Sequence, residues 1–390
     1  LFAAFVDMLG YAMVFPLLPI YAVRLGADAH VVGWMVASFS IAQVAAAPLW
    51  GRFSDKWGRR PALLMGLAGS SIAFLIFGYA DAIWLLFVSR LAQGGMGGTT
   101  GVMQAYIGDS VAPKDRAKAL GWLSAATNSG VMIGPALGSL SWHFGHAAPG
   151  VIAAGLCLLN LLFAWRWLPE STDVASRAMK GASPAQEGTP PPAKTSVSQM
   201  VWDTIRHPRG ATSQLIWIYA VAMMAFGSMT AVLALYMMER FQLNESNIGY
   251  IFLFFGGVSV IMRAGVLGRL VTLLGEVRLM RAGAIVVAVG LVSMPLPNRL
   301  ILCLLVMGLV PIGTSLLFPS TTGLLSRRGS KQQLGQLMGV QQAFGGFSRI
   351  IGPIWAGSAF QYLGASVPFF VAGAIMGLVA LLTTRVKPEP

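Results

Sequence analysis

The chain has 390 residues, 56% hydrophobic and 11% charged, with a mean hydropathy of +0.69 and a formal net charge of +13. About a quarter of a soluble domain's residues are charged. So few charges cannot cover a water-facing surface, and repeated apolar runs of roughly 20 residues indicate a polytopic helical membrane protein. The basic excess gathers in loops on one side of those runs, which excludes a nucleic-acid footprint and marks the cytoplasmic face.

In chain order the predicted spans are 1–23, 31–50, 62–80, 83–107, 119–142 and 149–168, then 212–238, 246–267, 279–296, 299–325, 334–358 and 367–384. These twelve spans predict an all-α membrane protein with an N-terminal six-helix bundle (1–168) and a C-terminal one (211–390). Between them, 169–210 reads as a cytoplasmic linker, rich in Pro, Ala, Ser and charge in its middle. The WDTIRHPRG stretch after it has the pattern of a short interfacial helix. With the Arg59 loop inside, Arg24, Arg240 and Arg299 face outside and Arg90, Arg263 and Arg349 lie within spans. The other basic residues are cytoplasmic, which puts both termini inside. The chain opens in an apolar run without a Met, so upstream residues are expected. Cys157 and Cys303 lie within apolar runs as packing residues, with no disulfide framework.

The two halves repeat one another. GRFSDKWG at 51–58 returns as GRLVTLLG at 268–275, and Gly121…Gly134-Pro135 returns as Gly339…Gly352-Pro353 at nearly the same offset. Parallel repeats of this kind are a recurrent design of secondary transporters.

Four stretches carry a resemblance: GRFSDKWGRRP between spans two and three, DMLGYAMVFPLLP in the first span, RLAQGGMGG in the fourth and SGVMIGPALG in the fifth. Together they resemble the major facilitator superfamily, in particular the drug:proton antiporter branch that includes tetracycline and multidrug efflux proteins. The resemblance implies two pseudo-symmetric six-helix bundles and alternating access. In the loop, Gly51 and Gly58 permit close approach and a tight turn, and Asp55 is the one acid among Arg52, Lys56, Arg59 and Arg60. The resemblance implies that Asp55 meets the start of the eleventh helix near Gln333–Gly335 and gates the cytoplasmic side. Asp109 is the expected partner of Arg59 or Arg60, and Thr272, standing where Asp55 would repeat, predicts a weaker second latch. Gly130, Gly134 and Gly138 form a small-residue face suited to tight helix contact, beside Pro135. The resemblance makes that face a seal between halves.

Ionisable groups inside spans are costly and functional. Asp7, Arg90, Arg349 and Arg263 are the candidates for coupling or substrate contact. At ~1.5 Å per residue, Asp7 lies about 25 Å from the outer end and Arg90 roughly 10 Å deep, too far apart for a direct ion pair. Arg349 sits in the outer half of span eleven, and Arg263 is close enough to Gly268 to snorkel to the cytoplasmic surface. Tyr11, Gln43, Gln93, Gln104, Asn128, Tyr236, Gln341 and Gln342 are further cavity candidates. The acidic residues of tetracycline efflux proteins in spans three and nine are absent, since the chain has Ala73 in SSIAFLIF and AIVVAVG in the ninth.

The resemblance implies proton-coupled export of a small amphiphilic compound by a bacterial inner-membrane protein working as a monomer. The alternative is transport of an organic anion or zwitterion on the intramembrane arginines, and a third reading is lipid translocation. No metal, cofactor or enzyme is implied, because no nucleophile–base set or phosphate loop is present.

Overall fold

A computed structural model describes residues 1–112, 114–171, 197–328 and 334–386. Most of the expected linker, and the Gln333 end of the expected Asp55 contact, lie outside these residues. The first half is built from α1 (Phe2–Val14), α2 (Leu18–Arg24), α3 (Ala29–Trp57), α4 (Arg59–Gly78), α5 (Ile83–Met96), α6 (Thr99–Ser110), α7 (Arg116–Ser141) and α8 (Ala148–Trp167). A short α9 (Val197–Arg206) precedes α10 (Ala211–Phe241) and α11 (Glu245–Ile261). The chain continues through a π-helical turn (Met262–Val266), α12 (Leu267–Leu274), α13 (Glu276–Ser293) and α14 (Leu300–Met307). It ends with α15 (Leu309–Arg328), α16 (Leu334–Leu363) and α17 (Val367–Thr384).

Among the described residues, eight helical stretches are long and apolar enough to cross a membrane. The other four predicted spans are helical but fall short for identifiable reasons. Span 83–107 is cut at Gly97–Gly98 into α5 and α6, each too short alone. Helix α13 begins with Glu276, Arg278 and Arg281. Helices α7 and α16 are diluted by Gly and Ser, the small residues that bring them onto α1 and α10, and α16 also by Gln.

Breaks within spans have local causes. Pro16 and Pro19 cannot donate backbone bonds, so the first span divides between α1 and α2. At Gly98 an added Cβ would lie 2.3 Å from the Trp50 ring, and the Trp50 indole donates to the Gly95 carbonyl at 2.6 Å. The glycine run lets α3 press against the α5–α6 break.

The stretch 51–61 is not a loop. Helix α3 runs to Trp57 and α4 starts at Arg59, leaving Gly58 at φ +105° to make the whole turn. Gly275, its repeat, stands at φ +75° at the start of α13. Gly51 has open space where a side chain would stand, so the expected close approach there is absent.

Two compact units emerge, and they follow the halves with two exchanges of segment. Unit one comprises Leu1–Leu18, Ser38–Lys194 and Glu245–Tyr250, and unit two comprises Pro19–Ala37, Thr195–Asn244 and Ile251–Pro390. In unit one α1 packs on α7 and α8, and α4 on α5 and α8. In unit two α10 packs on α16 and α17, and α13 on α15 and α17. Large apolar side chains such as Ile72, Leu159, Ile285, Leu305 and Leu381 remain exposed, as a lipid-facing surface requires. Both cysteines are buried and unbridged.

Candidate functional site

In unit one, Asp7 on α1 is 6% exposed and accepts a hydrogen bond from the Thr99 hydroxyl at 3.0 Å. Thr99 is delivered there by the glycine break, because it is the first residue of α6. Arg90 on α5 is 1% exposed and donates to the side-chain carbonyl of Gln93 one turn later. Its guanidinium stands 5.7 Å from the centre of the Phe39 ring, and the Tyr11 ring packs on Phe39 at 5.2 Å. Arg90 Nε and Gln93 Nε2 are buried without hydrogen-bond partners. Among the described residues Arg90 has no carboxylate partner, and Asp7 is held by Thr99 instead. Gln43 lies beside the break, its Nε2 3.3 Å from where a Cβ of Gly97 would stand.

In unit two, Arg349 on α16 is half-buried and converges with the Tyr219 ring on the bare backbone of Gly345. Gln341 is fully buried, with Thr322 3.4 Å from its Oε1 and no partner for Nε2. Arg263 falls within the π-helical turn. Such turns interrupt the regular ladder and recur at functional sites. Tyr236 sits in the core, its ring 4.8 Å from Phe369. Gln104 and Asn128 are exposed, and the Asn128 amide is used on its own helix by Ser124 O.

An ion-pair network centres on Arg59, whose side chain is 12% exposed and whose guanidinium bridges Asp55 at 2.8 Å and Asp109 at 3.0 Å. Glu170, just past α8, accepts the backbone N–H groups of Arg59 (2.9 Å) and Arg60 (3.1 Å), capping α4. Arg60 turns away to the Trp165 carbonyl. The second half has its own pair, Arg327 with Glu276 at 3.2 Å.

The glycines of α7 pack on α1: an added Cβ would lie 2.5 Å from Phe5 O at Gly130, 2.6 Å from Ala12 Cβ at Gly134 and 2.1 Å from Met13 O at Gly138. The face expected to seal the halves is therefore occupied within unit one. The neighbouring Pro135 and Ser139 instead meet α11, where Gly249 donates its N–H to Ser139 Oγ at 2.8 Å.

Sequence reasoning named Asp7, Arg90 and Gln93 but missed Thr99, Tyr219, Glu170 and the Glu276–Arg327 pair. The repeat offset carried a signal for that last pair. The others meet their partners only through tertiary packing.

The sequence matches the Major Facilitator Superfamily profile over residues 1–309 and 264–390. It is 28% identical to "Multidrug resistance protein 2" of Bacillus subtilis (strain 168), across 99% of this chain and 93% of that protein. In structure it is similar to the human organic anion transporter MFSD10 (TETRAN), with TM-score 0.69 and 22% identity over 98% of this chain and 97% of that one. The nucleoside transporter NupG gives TM-score 0.75 at 15% identity, over 99% and 98%. These proteins span efflux, anion and nucleoside transport, so they single out no branch. Among the described residues no group of three or more His, Cys, Asp or Glu could hold a metal. The chain belongs to the Major Facilitator Superfamily, as a multi-pass, secondary-active transporter of small molecules and not an enzyme.

Proposed function

We propose that this transporter moves a small organic anion or zwitterion by alternating access, with Arg90 as the principal anion-binding group. The observation that carries the reading is the state of Arg90. Among the described residues it is a buried guanidinium hydrogen-bonded only to a neutral carboxamide, with its own Nε and the Gln93 amide unsatisfied. An isolated buried charge costs several kcal/mol, and an anionic ligand would offset that cost and accept from both orphaned donors. Arg349 supplies a second cation without a carboxylate partner among the described residues. The name of the human anion transporter of similar fold agrees with this chemistry.

In this reading twelve spans form two six-helix bundles in a bacterial inner membrane, with both termini cytoplasmic and a monomer as the working unit. Arg59, Asp55 and Asp109 release or seal the cytoplasmic side. A second reading, proton-driven export of an amphiphilic compound, is favoured by one observation: Asp7 is a buried carboxylate within a span, bonded to a hydroxyl that serves either protonation state. The two combine if Asp7 carries the proton. Flux of radiolabelled p-aminohippurate into proteoliposomes, under separately imposed pH and voltage gradients, tests the reading. Saturable flux of the anion is expected, and the absence of flux under any gradient contradicts it.

A further inference from the structure

The second unit holds a cation and a run of aromatic rings side by side. On α16, Gly345 leaves bare backbone on which two groups converge: a Cβ there would stand 2.9 Å from Tyr219 Cε1 and 3.7 Å from Arg349 Nη1. From Tyr219 the rings continue to Phe318 at 5.4 Å and 68°, from Phe318 to Phe226 at 6.2 Å and 77°, and from Phe226 to Phe255 at 6.1 Å. Three helices, α10, α15 and α11, contribute these rings. Tyr219 is buried, whereas Phe318, Phe226, Phe255 and Arg349 are half-buried and keep exposed surface. A packing cluster alone has no need of an arginine at its end, and a cation-binding site would be repelled by one.

We infer that this arrangement is a second anion subsite, in addition to the one at Arg90, that takes an aromatic carboxylate, with the carboxylate on Arg349 and the ring against Phe318 and Phe226. The inference rests on the organic-anion reading and narrows it to aromatic acids. Near-perpendicular rings present a face to one neighbour and an edge to the next, so an added ring gains edge-to-face contact that a saturated ring of equal size does not. Such contacts are worth ≈ 0.5–1.5 kcal/mol beyond area, which corresponds to about a twofold to tenfold preference. In unit one Arg90 over Phe39, followed by Tyr11 and Phe15, shows the same pairing of arginine with rings.

The test measures binding to the full chain in lipid nanodiscs with three probes: hippurate, its saturated-ring analogue N-cyclohexanecarbonylglycine, and the neutral amide hippuramide. Hippurate is expected to bind about twofold to tenfold more tightly than the saturated analogue. Phe318→Leu and Phe226→Leu are expected to bring that ratio near one while both carboxylates still bind. Tyr219→Phe, which keeps the ring, is expected to preserve the ratio, and thermal unfolding checks that each variant is folded. Equal affinity for the two carboxylates, both tighter than hippuramide, overturns the aromatic subsite and leaves the anion reading standing. Hippuramide binding as tightly as hippurate overturns the anion reading, and with it the role of Arg349. Absence of binding by all three at millimolar concentration overturns the subsite.

Discussion

Gly249 on α11 lies so close to Pro135 on α7 that a Cβ at 249 would stand 1.9 Å from the Pro135 carbonyl oxygen. The repeat duplicates this relationship. Gly33 on α3 meets Pro353 on α16, the repeat of Pro135, with a Cβ-to-carbonyl distance of 2.5 Å. Both obstacles are backbone, which cannot swing aside as a side chain can. Gly249→Ala and Gly33→Ala are therefore expected to lower transport turnover at least about tenfold by excluding the conformation in which these seams close. Gly51→Ala, where the space is open, should leave turnover within about twofold and favour the helix by roughly 0.5–1 kcal/mol. Initial rates in proteoliposomes at equal reconstituted protein decide between these outcomes. Normal turnover of Gly249→Ala would remove the seam from the transport cycle.

The pairs Arg59–Asp109 and Glu276–Arg327 occupy repeat-related positions with their charges exchanged. Each ties the start of one helix to the end of another. Their partners are partly exposed, so each contributes no more than about 1 kcal/mol to stability. A gating role predicts a larger effect on turnover than on unfolding temperature. Asp109→Asn and Arg327→Gln should each reduce turnover severalfold with little change in KM, and the double reversal Glu276→Arg with Arg327→Glu should restore it. Asp55→Asn should also act on turnover more than on affinity. Full activity in the single variants contradicts the gating role.

Asp7 and Thr99 divide structure from coupling. Thr99→Val removes the donor to a buried carboxylate, at a cost of ≈ 1–3 kcal/mol, measurable as a lowered unfolding temperature. Asp7→Asn keeps the shape and removes the titrating group. If the proton passes through Asp7, this variant loses stimulation by a pH gradient but retains substrate exchange across the bilayer. Undiminished pH-driven flux in Asp7→Asn excludes Asp7 as the carrier.

Much of this was legible in the sequence, because membrane insertion imposes a pattern strong enough to read: apolar length, loop charge and repeated glycines. The positions of Gly58 and Gly275 at two equivalent turns followed from the repeat alone. Other features were not legible. The stretch 51–57 carries basic and acidic residues and reads as a loop, yet only Gly51 weakens helix there, by roughly 0.5–1 kcal/mol, and α3 continues through it. The glycine face of α7 signals close contact without naming the neighbour, and its neighbour is α1. Thr272 in place of an aspartate predicted a weaker second latch, whereas the second half has an ion pair of its own in Glu276 and Arg327, with Glu276 standing where Arg59 would repeat. Thr99 and Tyr219 are ordinary residues until packing brings them to Asp7 and Arg349.

The central claim is that Arg90 binds the anionic group of the substrate. Hydrogen bonds to charged groups contribute ≈ 1.5–3 kcal/mol, so Arg90→Gln should raise the KM for p-aminohippurate about tenfold to a hundredfold. Arg90→Lys, which keeps the charge but loses the fork, should fall between that variant and the parent. Concentration-dependent p-aminohippurate flux in proteoliposomes, measured for the parent chain and both variants, is the direct measurement. The account predicts that order of KM values; an unchanged KM in Arg90→Gln would contradict it.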